Sequence, residues 1–216
     1  AGRLRRSDAL IVTKAGYIQG KNSLMSAEID FPEQTVFDRS LSHCIHPEFL
    51  ENQLELSLLR MGLETVDVIL LHNPEYFLKK QKQEGVSQKE AQEEYYRRIH
   101  AAFDYLEQAR TDGKIQYYGI SSNTFPIYGQ YESTDLNRIH CEKYPGFKVI
   151  QFPANMLERG FRDGALCRLA REKELWTLAN RPFNAFQSKI GLLRLAGSAA
   201  REDSDEAIQS MIQLEE

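Results

Sequence analysis

Strand-like and helix-like segments alternate along the chain, and this alternation limits the fold more than any other feature. Five short apolar runs have the length and β-branched content of buried strands, and segments with helical periodicity separate them. They are ALIVT (9–13), VDVILL (66–71), IQYYGI (115–120), KVIQF (148–152) and LWTLA (175–179). Alternating strands and helices are typical of a parallel sheet. We therefore expect an α/β fold with a parallel sheet, either doubly wound or closed into a barrel.

The segments between these runs predict amphipathic helices. In PEFLENQLELSLLRMG (47–62), apolar residues recur at helical spacing, and Gly62 ends the pattern. A longer helix is expected within 90–114, where Asp112 and Gly113 end it. The charged stretch at 79–94 is interpreted as a solvated loop that enters this helix. Further helices are expected in TDLNRIHCEKY (134–144), in RDGALCRLAREKE (162–174) and from Asp203, where Asp203 and Glu206 form a capping-box pattern.

Composition restricts the possible partners and location. The 216 residues are 42% hydrophobic and 27% charged with a net charge of -4, so we expect one globular domain over 1–216 without general affinity for nucleic acid or anionic membranes. Three widely spaced cysteines favour a reducing compartment, and no apolar stretch is long enough to cross a bilayer. No signal-peptide pattern opens the sequence. We expect a cytoplasmic protein, and its oligomeric state stays open.

Each apolar run ends on polar side chains. Any one of them is explained by the strand meeting a loop, but the carboxyl ends of parallel strands lie on the same rim, where such folds bind ligands. These residues are Lys14, His72, Ser121 with Ser122 and Asn123, Gln151, and Asn180 with Arg181. The pattern predicts a binding or catalytic site for a polar ligand.

Two other kinds of site are disfavoured. No G-x-G-x-x-G follows any of the five runs, which argues against a doubly wound dinucleotide-binding domain. His43, Cys44 and His46 are close in sequence, but no second ligand cluster follows at the spacing of a zinc site. We expect no metal.

The local sequences around the strand ends resemble the aldo-keto reductase family. HPEFLENQLELSLLRMGLETVDVILLHNPE is similar to the family's helix and following strand, which ends in the active-site histidine. IVTK resembles the strand that ends in the catalytic lysine. KIQYYGISSNTF, VIQF and LANRPFNAF resemble, in order, the strands with the Gly-x-Ser-Asn turn, the glutamine and the Ser-Pro-Leu ending. The resemblance covers about residues 9–186, and 187–216 is expected to be a helical tail.

The resemblance implies a (β/α)8 (TIM-type) barrel that reduces a small-molecule aldehyde or ketone with NADPH. About five of the eight βα units are recognisable, so we expect an incomplete barrel without its amino-terminal part and its carboxyl-terminal end. Lys14 and His72 take the positions of the family's lysine and histidine. The lysine lowers the pKa of a proton-donating tyrosine, and the histidine polarises the carbonyl oxygen.

The remaining strand-end residues match the family's cofactor contacts. Ser121, Gln151 and either Asn123 or Ser122 match residues that hydrogen-bond the nicotinamide carboxamide. Asn180 stands where many members have an aromatic residue that stacks on the nicotinamide, and Arg181 is expected to contact the diphosphate. The choice between NADPH and NADH is left open.

The family's aspartate and tyrosine have no match in the sequence. Asp8 and Tyr17 are near Lys14, but one precedes the strand and the other follows the lysine. We therefore expect the chain to be an inactive or weakly active fragment of a reductase. The alternative is a non-catalytic barrel that binds NADPH or a protein partner.

Overall fold

The computed structural model describes residues 5–20, 29–139, 141–163, 165–187 and 191–194. In chain order the strands are β1 (Val12–Ala15), β2 (Tyr17–Gln19), β3 (Thr35–Val36), β4 (Leu41–His43), β5 (Val66–His72), β6 (Ile115–Ser121), β7 (Phe147–Pro153), β8 (Trp176–Asn180), β9 (Asn184–Gln187) and β10 (Gly191–Arg194). The helices are α1 (Pro47–Met61), α2 (Tyr76–Gln83), α3 (Gln88–Thr111), α4 (Gly160–Asp163) and α5 (Leu166–Glu172). None of these helices is both long and apolar enough to span a membrane.

A five-stranded parallel sheet forms the centre of the fold. Its order is β1-β5-β6-β7-β8, and every neighbouring pair runs parallel. These five strands correspond to the five apolar runs, so the predicted parallel α/β fold is confirmed. The described strands do not close on themselves. The architecture is that of an incomplete (β/α) barrel.

The two faces of this sheet are packed differently. On the outer face, side chains such as Ile69, Ile120 and Ile150 join the main hydrophobic core, to which α1 and α3 contribute Leu54 and Phe103. This burial supplies most of the hydrophobic stabilisation of the described fold.

On the inner face, Val68, Leu70 and Val149 form a separate small cluster with Tyr117 and Leu178. The cluster lies below the strand ends that carry the predicted site. The polar side chains of the site therefore lie directly above an apolar cluster.

Helix α1 shows why the sequence specifies these boundaries. His46 precedes the helix, and its Nδ1 accepts the Glu48 N–H at 3.4 Å. Pro47 occupies the first turn, where its missing N–H leaves no hydrogen bond unmade. Gly62 ends the helix in the left-handed region at φ +63°. The helix predicted at 47–62 is confirmed to within one residue.

Several local predictions were wrong. Residues 79–83 of the predicted solvated loop lie in α2, because Phe77 and Leu78 pack into the core and hold this helix in place. The helix expected at 134–144 is a pair of 3₁₀ turns, Leu136–Ile139 and Cys141–Lys143.

The antiparallel strands were not predicted. β2, β3 and β4 form a small sheet in the order β2-β4-β3, beside the carboxyl end of β1. β9 pairs antiparallel with β10, although no strand was expected after residue 186. The helix predicted from Asp203 lies outside the described residues.

Gly119 allows β6 and β7 to approach each other. A Cβ atom at this position would overlap the carbonyl oxygen of Val149, next to a register shift between Tyr118 and Gly119. The glycine therefore fixes the spacing of the two strands whose ends carry Ser121 and Gln151.

We expect Gly119→Ala to lower the free energy of unfolding by about 3 kcal/mol or more, the upper end of the cost of overpacking, because backbone rather than a side chain must move. Urea unfolding followed by circular dichroism measures this. Gly85→Ala is the control, since Gly85 has no atom near its missing Cβ and a φ of +77°. Its cost should be about 1–2 kcal/mol. If both variants lose the same free energy of unfolding, the contact between Gly119 and the Val149 carbonyl does not limit the spacing of β6 and β7.

Candidate active site

The register of the parallel strands places three predicted residues in one row. His72 of β5 lies opposite Ser121 of β6, and Ser121 lies opposite Gln151 of β7. Lys14 of β1 pairs with Leu70, two residues before His72, so both side chains point to the inner face. Four side chains from four neighbouring strands therefore meet at one end of the sheet.

Lys14 joins two of its neighbours through hydrogen bonds. Its Nζ donates to the Oε1 of Gln151 and, at 3.5 Å, to the Oγ of Ser121. Ser121 Oγ also donates to Gln151 Oε1 at 2.9 Å. Burial lowers the pKa of Lys14. The result is a compact cluster of an ammonium, a hydroxyl and an amide.

His72 is held in its neutral form. Burial, together with the positive charge of Lys14 and the nearby His43, lowers its pKa to about 4. At neutral pH the imidazole is therefore uncharged and carries one N–H. Such a ring can donate a hydrogen bond to a carbonyl oxygen without carrying a charge of its own.

His43 fixes the strand end that carries His72. Its Nε2 lies 2.7 Å from the carbonyl oxygen of His72, and because a carbonyl only accepts, Nε2 must carry the proton. His43 is 2% exposed, and burial lowers its pKa to about 4. The two residues near His43 in sequence make structural contacts. Cys44 Sγ donates to the carbonyl oxygen of Pro32, and His46 caps α1.

Tyr17 is an aromatic neighbour of His72 that sequence reasoning set aside. Its ring meets the His72 ring edge-on at 4.7 Å, and its hydroxyl accepts a 2.7 Å hydrogen bond from Asn73 Nδ2. Burial raises the pKa of Tyr17 well above its usual value. Asp8, the other residue near Lys14 in sequence, bonds to Arg5 before β1 and lies at the opposite end of that strand.

Ser122 does not join the cluster of Lys14, Ser121 and Gln151. It is fully buried, and its hydroxyl lies within hydrogen-bond distance of the Thr124 and Thr134 hydroxyls at 3.0 and 3.2 Å. Thr134 in turn bonds the hydroxyl of Tyr95 from α3. Asn123, in contrast, is half-buried at the rim.

Asn123 and Arg181 contact each other above the strand ends. Arg181 Nη2 donates to Asn123 Oδ1 at 3.4 Å and to Glu158 Oε1 at 2.7 Å. Arg181 has a φ of +54°, and Asn73, which follows His72, has a φ of +52°. Positive φ is uncommon in residues other than glycine and is concentrated at functional sites. The Oδ1 of Asn180 is buried and has no hydrogen-bond partner among the described residues.

A cavity of about 430 Å³ opens between these loops. We call it the rim cavity, and each of its lining residues carries a polar or charged group. The lining residues are Tyr17, Asn73, Glu75, Tyr76, Lys79, Asn123, Thr124, Glu132, Glu158 and Arg181. It adjoins His72 through the ring of Tyr17.

Sequence reasoning missed Glu75 as well as Tyr17 and His43. All three lie in loops or in the small antiparallel sheet, outside the parallel strands from which the site was predicted. The HNPE sequence (72–75) carried a usable signal, because an acidic residue three positions after a strand-end histidine lies on the same rim.

Comparison with known proteins identifies the family of this chain. The pattern that defines the Aldo/keto reductase family matches residues 2–185. The search of curated proteins found no match. Because the family pattern covers most of the sequence, the chain belongs to the aldo-keto reductase family.

The chain is similar to several solved structures. Glycerol dehydrogenase AKR11B4 from Gluconobacter oxydans matches with a TM-score of 0.52 and 17% identity over 98% of this chain and 55% of its own length. Aldo-keto reductase AKR11C1 from Bacillus halodurans, in its holo form, matches with a TM-score of 0.49 and 18% identity over 81% of this chain and 43% of its own. An aldo/keto reductase from Brucella melitensis matches with a TM-score of 0.48 and 15% identity over 82% of this chain and 48% of its own length. The chain spans about half the length of these proteins.

The electrostatic coupling of Lys14 and His72 can be tested directly. We expect Lys14→Met to raise the pKa of His72 from about 4 toward, but not up to, 6.5, because one of its causes is removed and burial remains. Imidazole NMR titration measures the pKa, with His72→Gln used to assign the signal.

Lys79→Met is the matched control, since Lys79 lies at the rim cavity and is not among the causes of the His72 shift. An unchanged His72 pKa in Lys14→Met would mean that the two side chains do not share a site.

Proposed function

We propose that this chain is part of an NADPH-dependent reductase that converts a small-molecule aldehyde or ketone to an alcohol. The observation that carries the proposal is the meeting of Lys14, His72, Ser121 and Gln151 on one inner face of four neighbouring parallel strands. Membership of the aldo-keto reductase family supports it. The proposal places the enzyme in the cytoplasm, in keeping with free Cys44, Cys141 and Cys167.

The residues present fit the carboxamide of a nicotinamide. A carboxamide has both a donor and an acceptor, and the Ser121 hydroxyl and the Gln151 amide offer the complementary groups. The Asn123 amide is a third hydrogen-bonding group at the rim. The Ser122 hydroxyl instead bonds the buried hydroxyls of Thr124 and Thr134. The buried Asn180 Oδ1, which has no partner among the described residues, provides a further acceptor.

When bound, the cofactor supplies the hydride, and the chain's own residues orient the two reactants. His72, neutral at pH 7, donates its N–H to the carbonyl oxygen and stabilises the negative charge that develops there. Lys14 adds a positive charge nearby. Ser121 and Gln151 would hold the nicotinamide carboxamide and so set which face of the ring meets the substrate.

Proton delivery is the step that these residues do not complete. The family pattern uses a tyrosine whose pKa a lysine lowers. Tyr17 contacts His72, but burial raises its pKa, which makes it a weaker acid than a free tyrosine. We therefore propose that the 216-residue chain alone has little or no turnover.

The second candidate function is a non-catalytic barrel that binds NADPH or a protein partner. The raised pKa of Tyr17 favours it, because binding of the cofactor needs no proton donor. The two proposals share the cofactor site and differ in turnover.

Cofactor binding is the first test. We expect Ser121→Ala and Gln151→Ala each to weaken NADPH binding about tenfold, since a hydrogen bond contributes about 1–1.5 kcal/mol and 1.4 kcal/mol is a factor of ten. Fluorescence titration of NADPH measures the Kd. Thr177→Ala, which removes an exposed hydroxyl from β8, is the control and should leave the Kd unchanged. Failure of the unaltered chain to bind NADPH would reject the proposed cofactor.

Turnover is the second test. We expect NADPH oxidation by the purified chain, with a panel of aldehydes and ketones, to stay at the level of a His72→Ala variant, because burial holds the pKa of Tyr17, the tyrosine beside His72, well above its usual value. A rate well above that of His72→Ala would contradict the proposed inactivity of the chain and would show that its own residues deliver the proton.

A further inference from the structure

Glu75 is a buried carboxyl at the rim that the proposed chemistry does not use. It is 5% exposed and lies three residues after His72, directly before α2. Its Oε1 accepts the backbone N–H of Asn123 at 2.9 Å. A side chain from the loop after β5 thus holds the backbone of the loop after β6.

A second hydrogen bond joins the same two loops. The backbone N–H of Asn73 donates to the carbonyl oxygen of Ser121 at 2.7 Å. The turn Ser121-Ser122-Asn123 is therefore fixed at its first residue by the backbone of Asn73 and at its last by Glu75. Asn123 then meets Arg181 from the loop after β8.

A glutamate at position 75 destabilises the fold if its role is packing alone. Glu75 Oε2 is buried without a hydrogen-bond partner among the described residues, and an apolar residue of similar size would avoid that cost. Burial raises the pKa of Glu75 to about 7. What the carboxyl supplies is an acceptor for the backbone N–H of Asn123, and the side chain of Ser122 in the same turn also favours its charged form. This turn carries two of the predicted cofactor contacts.

We propose that Glu75 is a positioning residue of the cofactor site, which holds the Ser121-Ser122-Asn123 turn so that Ser121 and Asn123 meet the nicotinamide carboxamide together. This inference rests on the proposed cofactor. It assigns to Glu75 a role in binding rather than in the transfer of hydride or proton.

Other charged and titratable groups surround Glu75. Lys79 follows one turn later on α2, Tyr95 faces it from α3 and Tyr17 from β2. Arg181, Glu158 and Glu132 lie around the rim cavity. Burial lowers the pKa of both His43 and His72 to about 4, and it raises those of Tyr17 and Tyr95, so these four groups do not change charge near pH 7.

The chain offers a matched control at the opposite end of the sheet. Glu107 Oε1 accepts the backbone N–H of Gly146 at 2.7 Å, directly before β7 begins. It also accepts the hydroxyl of Tyr118 at 2.9 Å. Loss of Glu107 therefore removes the same kind of hydrogen bond from a turn at the amino ends of the strands, far from the cofactor contacts.

The binding experiment compares three variants of the full chain at pH 6, where the carboxyl of Glu75 is mostly neutral. We expect Glu75→Ala to raise the NADPH Kd about tenfold, the equivalent of one lost hydrogen bond. Glu75→Gln keeps an acceptor oxygen and should stay within about twofold to threefold of the unaltered chain. Glu107→Ala should lower the urea unfolding midpoint and leave the Kd unchanged.

A spectroscopic measurement tests the same contact without the cofactor. The backbone N–H signal of Asn123 should shift with pH with a midpoint near 7, following the ionisation of Glu75. In Glu75→Gln this shift should vanish. A merely space-filling Glu75 would leave the Asn123 signal insensitive to the substitution.

The outcomes separate the two proposals. If the unaltered chain does not bind NADPH, the proposed cofactor fails and the positioning role falls with it. If the unaltered chain binds NADPH and Glu75→Ala binds equally well, only the positioning role is rejected. A pH-dependent shift of the Asn123 N–H signal that persists in Glu75→Gln would also reject the positioning role.

Discussion

The candidate site depends on the parallel register of β1, β5, β6 and β7. Side chains alternate between the two faces of a strand, so a shift of one residue in any pair would move its polar group to the helix-covered face. A lysine, imidazole or amide there would lie among apolar side chains such as Ile69 and Ile120 without partners, which opposes the shift. The register that buries the outer core therefore also brings Lys14, His72 and Gln151 together.

The two faces of the sheet divide stability and chemistry between them. The outer face is covered by α1 and α3, and the side chains that β5, β6 and β7 place there, such as Ile69, Ile120 and Ile150, are almost fully buried. On the inner face only the central strands bury their apolar residues, and Trp176 of β8 is 50% exposed beside Tyr117. The polar cluster therefore lies on the face where fewer side chains are buried. That arrangement leaves Lys14 partly exposed and accessible to a ligand, while it remains hydrogen-bonded to its neighbours.

The sequence predicted the long-range sheet better than the local additions to it. All five parallel strands were located to within about three residues, because a strand covered on both faces needs a continuous apolar run. The strands β2 to β4 have two or three residues each, too short for any periodicity to show. Helix α2 was missed because Lys79, Lys80 and Lys82 dominate its composition, while its stability comes from the burial of Phe77 and Leu78.

The same distinction applies to the site. Lys14, His72, Ser121 and Gln151 were identifiable because each ends an apolar strand, whereas the residues that hold His72 in place depend on contacts between distant segments. His43 is 29 residues away and reaches the His72 carbonyl only because β4 returns beside β2. Gly16 makes this possible: a Cβ there would lie 2.5 Å from that carbonyl oxygen and 2.8 Å from His43 Nε2. The imidazole of His72 is thus oriented by a glycine and a second histidine that no strand-end pattern indicates, and its neutrality at pH 7 follows from the burial that this close packing creates.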